Sequence, residues 1–276
     1  CAETDKTITI RGTGFQYIFN KFSGCFDSLQ VDGRELLLEP MTYNIWRAPT
    51  DNDWGISQKW RELRYNTYAV RTHDVVCKNN ENGVTIRCTG VMGSAGVRCY
   101  IGLDAVWTIN PLGIIDVCTS VTVHENAPFL PRFGLLIPMD KEFSTAEYFG
   151  RGPTDSYIDK CRATYMGRFK APVQAMLSDY IRPQESGNRH NTLWGAVYNA
   201  ARQGLVLVCE NGFDFSALPY SAQQLESARH NYELPEPDRT VVCADYMQSG
   251  IGSNRCGPEL DPIYQLNDKS FTYKMS

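Results

Sequence analysis

Eight consecutive residues, Trp46-Arg47-Ala48-Pro49-Thr50-Asp51-Asn52-Asp53, gather a guanidinium, two carboxylates and a carboxamide. A guanidinium fork can clamp a carboxylate with two parallel hydrogen bonds. The same oxygens could instead bind sugar hydroxyls or a hard cation. Pro49 disfavours an α conformation at Ala48, so these groups should stand on an ordered turn. The plainer expectation is a network in which Arg47 is at least half buried and bonded to Asp51 or Asp53. Asp51, Asn52 and Asp53 lack the further oxygen ligands of a calcium loop, so no metal is assigned.

A second polar cluster follows at Arg182-Pro183-Gln184-Glu185-Ser186-Gly187-Asn188. Its donors and acceptors suit either the backbone of a loop crossing a sheet or the hydroxyls of a sugar, and the structural role is preferred. Chemistry on a sugar ring by proton transfer needs an acid and a base, usually a histidine and a carboxylate. Of His73, His124, His190 and His230, only His190 stands near such a cluster, five residues after Glu185 with Asn188 and Arg189 between. A lone histidine beside a turn is more often structural. Gly150-Arg151-Gly152-Pro153 reads as a turn, without the strand-to-helix context of a phosphate loop.

The elements that must position these groups are strands. Val97, Cys99, Ile101, Leu103, Ala105, Trp107 and Ile109 alternate with polar residues, Asn110-Pro111-Leu112-Gly113 turns the chain, and Ile115, Val117, Thr119, Val121 and Val123 continue the parity. This pattern predicts a long antiparallel hairpin with one buried face. Val31-Asp32-Gly33-Arg34 and Asn80-Glu81-Asn82-Gly83 signal further hairpins, and Phe15, Tyr17 and Phe19 alternate ahead of the first. Helix is minor: Ser221 and Gln224 form a capping box for a short helix over 221–228, and a weaker helix begins near Ser57 with Trp60 and Leu63 on one face.

With no βαβ alternation, 276 residues of this kind predict a single all-β domain of large antiparallel sheets packed face to face. The hydrophobic content of 42% supplies a core, no apolar run approaches the roughly 20 residues of a membrane helix, and a soluble protein is expected. A formal net charge of -4 without long runs of one sign offers no footprint for nucleic acid or an anionic membrane. The ten cysteines show no metal-ligand spacing, and most are expected to be reduced, buried small hydrophobes. The chain has no initiator Met and no targeting signal, which suits a piece of something larger.

Taken in order, the Arg47 motif, Tyr148-Phe149-Gly150-Arg151-Gly152-Pro153-Thr154-Asp155-Ser156-Tyr157, Tyr180 through Asn188, Phe215-Ser216-Ala217-Leu218-Pro219-Tyr220, and Asp245-Tyr246 leading to Gly250-Ile251-Gly252-Ser253-Asn254-Arg255-Cys256-Gly257-Pro258 resemble one family. It is the carboxy-terminal small-chain domain of the large bacterial β-galactosidases, glycoside hydrolase family 2. The likeness spans roughly residues 5 to 270. It implies a β super-sandwich similar to galactose mutarotase, packed against a catalytic barrel that carries both hydrolytic glutamates and, typically, Mg2+ and a monovalent cation. No cofactor is then expected in this chain, and alone it should not cleave glycosides.

The resemblance implies that the chain lends segments to the rim of the barrel's active site and contacts a β-galactoside there. The rim residues would be Gly55, Ile56 and Ser57 together with Asn254, Arg255 and Cys256. Arg47, Asp51, Asn52, Asp53, Arg182, Gln184, Glu185 and Asn188 form a polar cluster that is either structural or sugar-contacting. In some relatives an aromatic residue stacks on the sugar at the position of Cys256, which a thiol cannot do. The parent enzyme would be cytoplasmic or periplasmic, with homo-oligomerisation left open. A free-standing carbohydrate-binding module and a mutarotase-like aldose epimerase are the other classes open to the sequence.

Overall fold

The computed structural model describes residues 1–97, 100–252 and 256–276. Alternating apolar residues produce three antiparallel sheets. The first is a meander of β1 (Ala2–Glu3), β2 (Thr7–Gly12), β3 (Phe15–Asn20), β4 (Cys25–Val31) and β5 (Arg34–Glu35). Its last turn fits the Asp-Gly signal: Val31 pairs with Arg34, and Asp32 and Gly33 adopt φ of 50° and 77°, the left-handed pair that a tight hairpin needs.

After β6 (Thr42–Asn44) and helix α1 (Trp54–Glu62) come β7 (Ala69–Asn80), β8 (Gly83–Gly93), β9 (Ile101–Ile109) and β10 (Ile115–Val123). The predicted long hairpin is β9–β10, in register from Ile115 opposite Ile109 to Val123 opposite Ile101. Arg98 and Cys99, assigned to its first strand by alternation, lie outside the described residues. Next come β11 (Arg132–Asp140), β12 (Thr145–Gly152), β13 (Tyr165–Pro172), β14 (Arg189–Tyr198), β15 (Gly204–Leu218), helix α2 (Ala222–Ser227), β16 (Arg239–Gln248) and β17 (Ser270–Met275). The second sheet runs β17-β10-β9-β8-β7 and the third β13-β12-β14-β15-β16-β11-β6.

The second and third sheets bury their apolar faces against each other. Phe133 of β11 meets Phe271 and Tyr273 of β17 at ring separations of 5.2 and 6.2 Å. Tyr43 of β6 bonds Thr119 of β10 at 2.7 Å, and the Tyr273 hydroxyl donates to the Ala244 carbonyl at 2.8 Å, so these two buried tyrosine hydroxyls are paired. Phe26 of the first sheet packs edge-on against Trp107 of β9 at 5.3 Å and extends the same core. Aromatic side chains of this size supply much of the burial that drives such a fold.

Three expectations are corrected. Gly150, Arg151 and Gly152 are not a turn but the end of β12, paired with Gly167, Met166 and Tyr165 of β13. A side chain at Gly152 would strike the Tyr148 hydroxyl at 2.5 Å, so packing explains the glycine. The weaker helix starts at Trp54, three residues before Ser57. The nine described cysteines are free thiols, but only Cys25, Cys88 and Cys243 are buried. Cys118 stands next to the buried Thr119 on β10, and alternation turns it to the other face.

Candidate functional site

Arg47 follows β6 and is fully buried. Its Nε and Nη2 donate to the two oxygens of Asp53 at 3.1 and 2.7 Å, the fork-to-fork geometry expected of the motif. Asp53 Oδ2 also accepts the Thr50 amide at 2.9 Å, which closes the turn. The remaining guanidinium hydrogens reach across the chain, donating to the Ser249 carbonyl at 2.5 Å and the Gly250 carbonyl at 3.0 Å. Asn52 adds a bond to the Ile251 carbonyl at 2.9 Å. From the opposite side Asp159 accepts the amides of Ile251 and Gly252 at 3.2 and 2.6 Å. Residues 249–252 are therefore held on both sides, some 200 positions from the turn that grips them.

Asp51 does not pair with Arg47. It faces outward and binds Arg182 at 3.3 Å, while its amide donates to Gln184 Oε1 at 3.0 Å. The Glu185 amide donates to the Ala48 carbonyl at 3.0 Å, so the two polar motifs of the sequence form one seam. Within that seam Arg182 is exposed, whereas Glu185 and Asn188 are buried. Glu185 accepts Arg132 Nη1 at 3.4 Å, and Arg132 also donates to Asp245 at 2.9 Å. This buried triad holds two carboxylates against one guanidinium. Burial pushes the Asp245 carboxyl up to about 7, with Asp214 and Glu185 adding repulsion and Arg132 opposing it.

Trp60 anchors α1. Its ring meets Trp46 and Phe129 at 6.4 and 5.6 Å, its Nε1 donates to the Phe129 carbonyl at 2.8 Å, and the Arg47 guanidinium lies 5.5 Å above it. This anchoring presents the first turn of α1 to a hollow of about 470 Å3. Gly55 and Ile56 line it beside Trp54, with Gly250, Gly252 and Glu259 across from them. Gly55 and Ile56, expected at a rim, thus lie in the first turn of a helix. Ser57 is buried and donates to the Trp54 carbonyl at 3.3 Å, away from this hollow. Asn254 and Arg255 lie outside the described residues, and Cys256 is exposed.

Trp54 was not singled out by sequence reasoning. It is 64% exposed, and a second hollow of about 240 Å3, shared with Arg182 and Arg61, lies on its other side. The available signal was a tryptophan directly after the acidic turn, where a helix start places a side chain outward. Glu259, Gln265 and Phe129 also line the first hollow without a motif to mark them. Among the described residues no three His, Cys, Asp or Glu side chains are grouped to hold a metal ion. No helix is long and apolar enough to cross a membrane.

The groups expected to join His190 in gripping a ligand are engaged elsewhere. Arg189 is buried against the Tyr148 hydroxyl, donating at 2.8 Å, and Asn188 donates to the Ser156 carbonyl at 2.9 Å. Neither is free to grip a ligand. His190 instead bonds Asp214, Nδ1 to Oδ1, at 2.8 Å.

Comparison with known proteins agrees with this architecture. The family model described as beta galactosidase small chain matches residues 11–276. The chain is 34% identical over 275 residues to a β-galactosidase of Staphylococcus xylosus, covering 99% of this chain and 28% of that protein. It is 33% identical over 264 residues to one of Actinobacillus pleuropneumoniae, covering 96% and 26%. The chain thus spans about a quarter of the length of these curated relatives. A solved galactose mutarotase-like protein from Lactobacillus casei ATCC 334 superposes with a TM-score of 0.51 over 98% of both chains at 11% identity, a likeness of fold. By the extent of the family match and the identity to these relatives, the chain belongs to the β-galactosidase small-chain family.

Proposed function

We propose that this chain is the non-hydrolytic β domain of a β-galactosidase, undivided along its length, that packs against a catalytic barrel and forms part of the rim through which a β-galactoside enters. The observation that carries the reading is the Arg47 clamp. It joins the acidic turn and α1 to residues 249–252, so that segments far apart in sequence share one hollow. Loops and element ends gathered at one edge of a rigid sandwich are how a scaffold contributes to a neighbouring site. The hollow offers an exposed indole, a carboxylate at Glu259 and a carboxamide at Gln265, groups that stack on and hydrogen-bond sugars. In this reading Trp54 supplies the aromatic face that Cys256 lacks.

The hydrolytic carboxylates, and any Mg2+ or monovalent cation, belong to the barrel, and the chain itself uses no cofactor. The buried carboxylates of this region are occupied, Asp53 by Arg47 and Glu185 and Asp245 by Arg132, and do not form an open acid and nucleophile pair. The purified chain should therefore leave a chromogenic β-galactoside intact. Turnover that survives removal of host enzyme and disappears on substitution of a carboxylate of this chain would overturn the reading.

A further inference from the structure

The strands β14 and β15 lose register with each other at two successive places, on either side of the Thr192–Phe213 pair. Arg189 opposes Phe215, Thr192 opposes Phe213 and Trp194 opposes Val208, so His190 and Asn191 bulge from one strand and residues 209–212 from the other. Asn191 adopts φ of 55° and Gly212 φ of 79°, and a side chain on Gly212 would lie 2.4 Å from Asn191 Oδ1. Facing bulges of this kind re-aim side chains and open a gap in a ladder. The gap is a cavity of about 580 Å3, closed on its far side by Tyr246 and by Thr272 and Lys274 of β17.

His190 is fixed in this cavity from behind. Asp214, its side chain 2% exposed, accepts the Gln248 amide at 2.7 Å, the Asn188 carboxamide at 3.2 Å and His190 Nδ1 at 2.8 Å. A carboxylate that accepts from three donors takes the proton on Nδ1, so that in the neutral ring the lone pair is on Nε2. Among the described residues no hydrogen-bond partner meets Nε2. This side chain, 24% exposed, faces a half-open cavity with its Nδ1 held by Asp214.

The lining determines what would bind. Nε2 needs a donor, Asn191 and Asn211 offer both donor and acceptor atoms, Thr272 offers a hydroxyl, and the Tyr246 ring, stacked on Phe271 at 4.5 Å, forms a flat wall. The lining holds one ammonium, on Lys274, and one carboxylate, on Asp214, so its formal charges cancel and the site favours a neutral ligand. We propose that this cavity is a binding site for a neutral, polyhydroxylated ring of monosaccharide size, with His190 Nε2 accepting a hydroxyl proton. The proposal does not depend on the rim reading, since the Trp54 hollow shares no residue with this cavity.

The test is a titration of the 15N-histidine-labelled chain with D-galactose, followed by NMR. With four histidines, the His190 ring signals can be assigned by substitution. Saturable shifts of the His190 ring nitrogens are expected, together with at least about tenfold weaker binding in both His190→Phe and Asn211→Ala. Asn211→Ala leaves the His190–Asp214 pair in place, so it separates lost binding from lost structure, and thermal melts verify that each variant is folded. The proposal is overturned if the His190 signals stay fixed up to the highest galactose concentration that leaves the chain soluble and folded. It is also overturned if inorganic phosphate moves the His190 signals at lower concentration than galactose, or if the folded variants bind galactose as tightly as the parent chain.

Discussion

Replacing Arg47 by alanine removes four hydrogen bonds at once: two to Asp53 and one each to the carbonyls of Ser249 and Gly250. Asp53, 5% exposed, is left with the Thr50 amide as its hydrogen-bond donor, and the Trp60 ring loses the cation above it. Breaking a buried pair by deleting one partner costs about 3 to 5 kcal/mol, because the surviving charge stays out of water. At roughly 2 to 4 °C per kcal/mol for a protein somewhat smaller than this one, the melting temperature should fall by roughly 6 to 20 °C. Urea denaturation of Arg47→Ala measures the loss directly. Arg47→Met combined with Asp53→Leu should recover part of it, since no unpaired charge remains. An unchanged melting temperature in Arg47→Ala would refute the clamp, as would a double substitution no better than the single.

Asp245 is raised to about 7 in the folded chain and returns to the ordinary carboxylate range when unfolded, so the native state holds its proton more tightly. Its contribution to stability is full below about pH 4 and is lost as pH rises towards 7; urea midpoints for the parent chain should show this decline and Asp245→Asn should flatten it. Ser221→Ala removes the cap of α2, where Ser221 Oγ accepts the Gln224 amide at 3.2 Å, and should cost about 1 kcal/mol, read as a small shift in the urea midpoint. Gly134→Ala would place a methyl group 2.3 Å from the Ala244 carbonyl at the β11–β16 irregularity, so a loss of soluble, cooperatively melting protein is expected on expression.

What the sequence revealed was local. The β9–β10 hairpin, the capping box at Ser221 and Gln224, and the Arg47–Asp53 pair each lie within a few residues of their own cause, where alternation, turn chemistry or a fork-shaped donor is enough. What it hid was set by register between distant strands. Nothing near Asp51 indicates that its partner is Arg182, 131 positions away, or that the spare hydrogens of Arg47 are aimed at residues 249 and 250. Glu185 was open to a structural or a sugar-contacting role, and only the pairing of β11 with β16 shows it sharing Arg132 with Asp245. Gly150 and Gly152 looked like a turn because glycine suits both a turn and a strand crowded by large side chains. The helix start at Trp54 was masked by the glycine that follows it, a poor helix former retained in the first turn beside the hollow.

If the rim hollow acts in a larger enzyme, the Michaelis constant for lactose reports on it most directly. This chain would replace the matched segment of the Staphylococcus xylosus β-galactosidase, with and without Trp54→Ala, a substitution at an exposed side chain that should leave the fold intact. Loss of one stacking ring is worth about 1 kcal/mol, so the variant should raise KM several-fold while kcat stays within about twofold. A folded, active chimera whose KM is indifferent to Trp54→Ala would contradict the account.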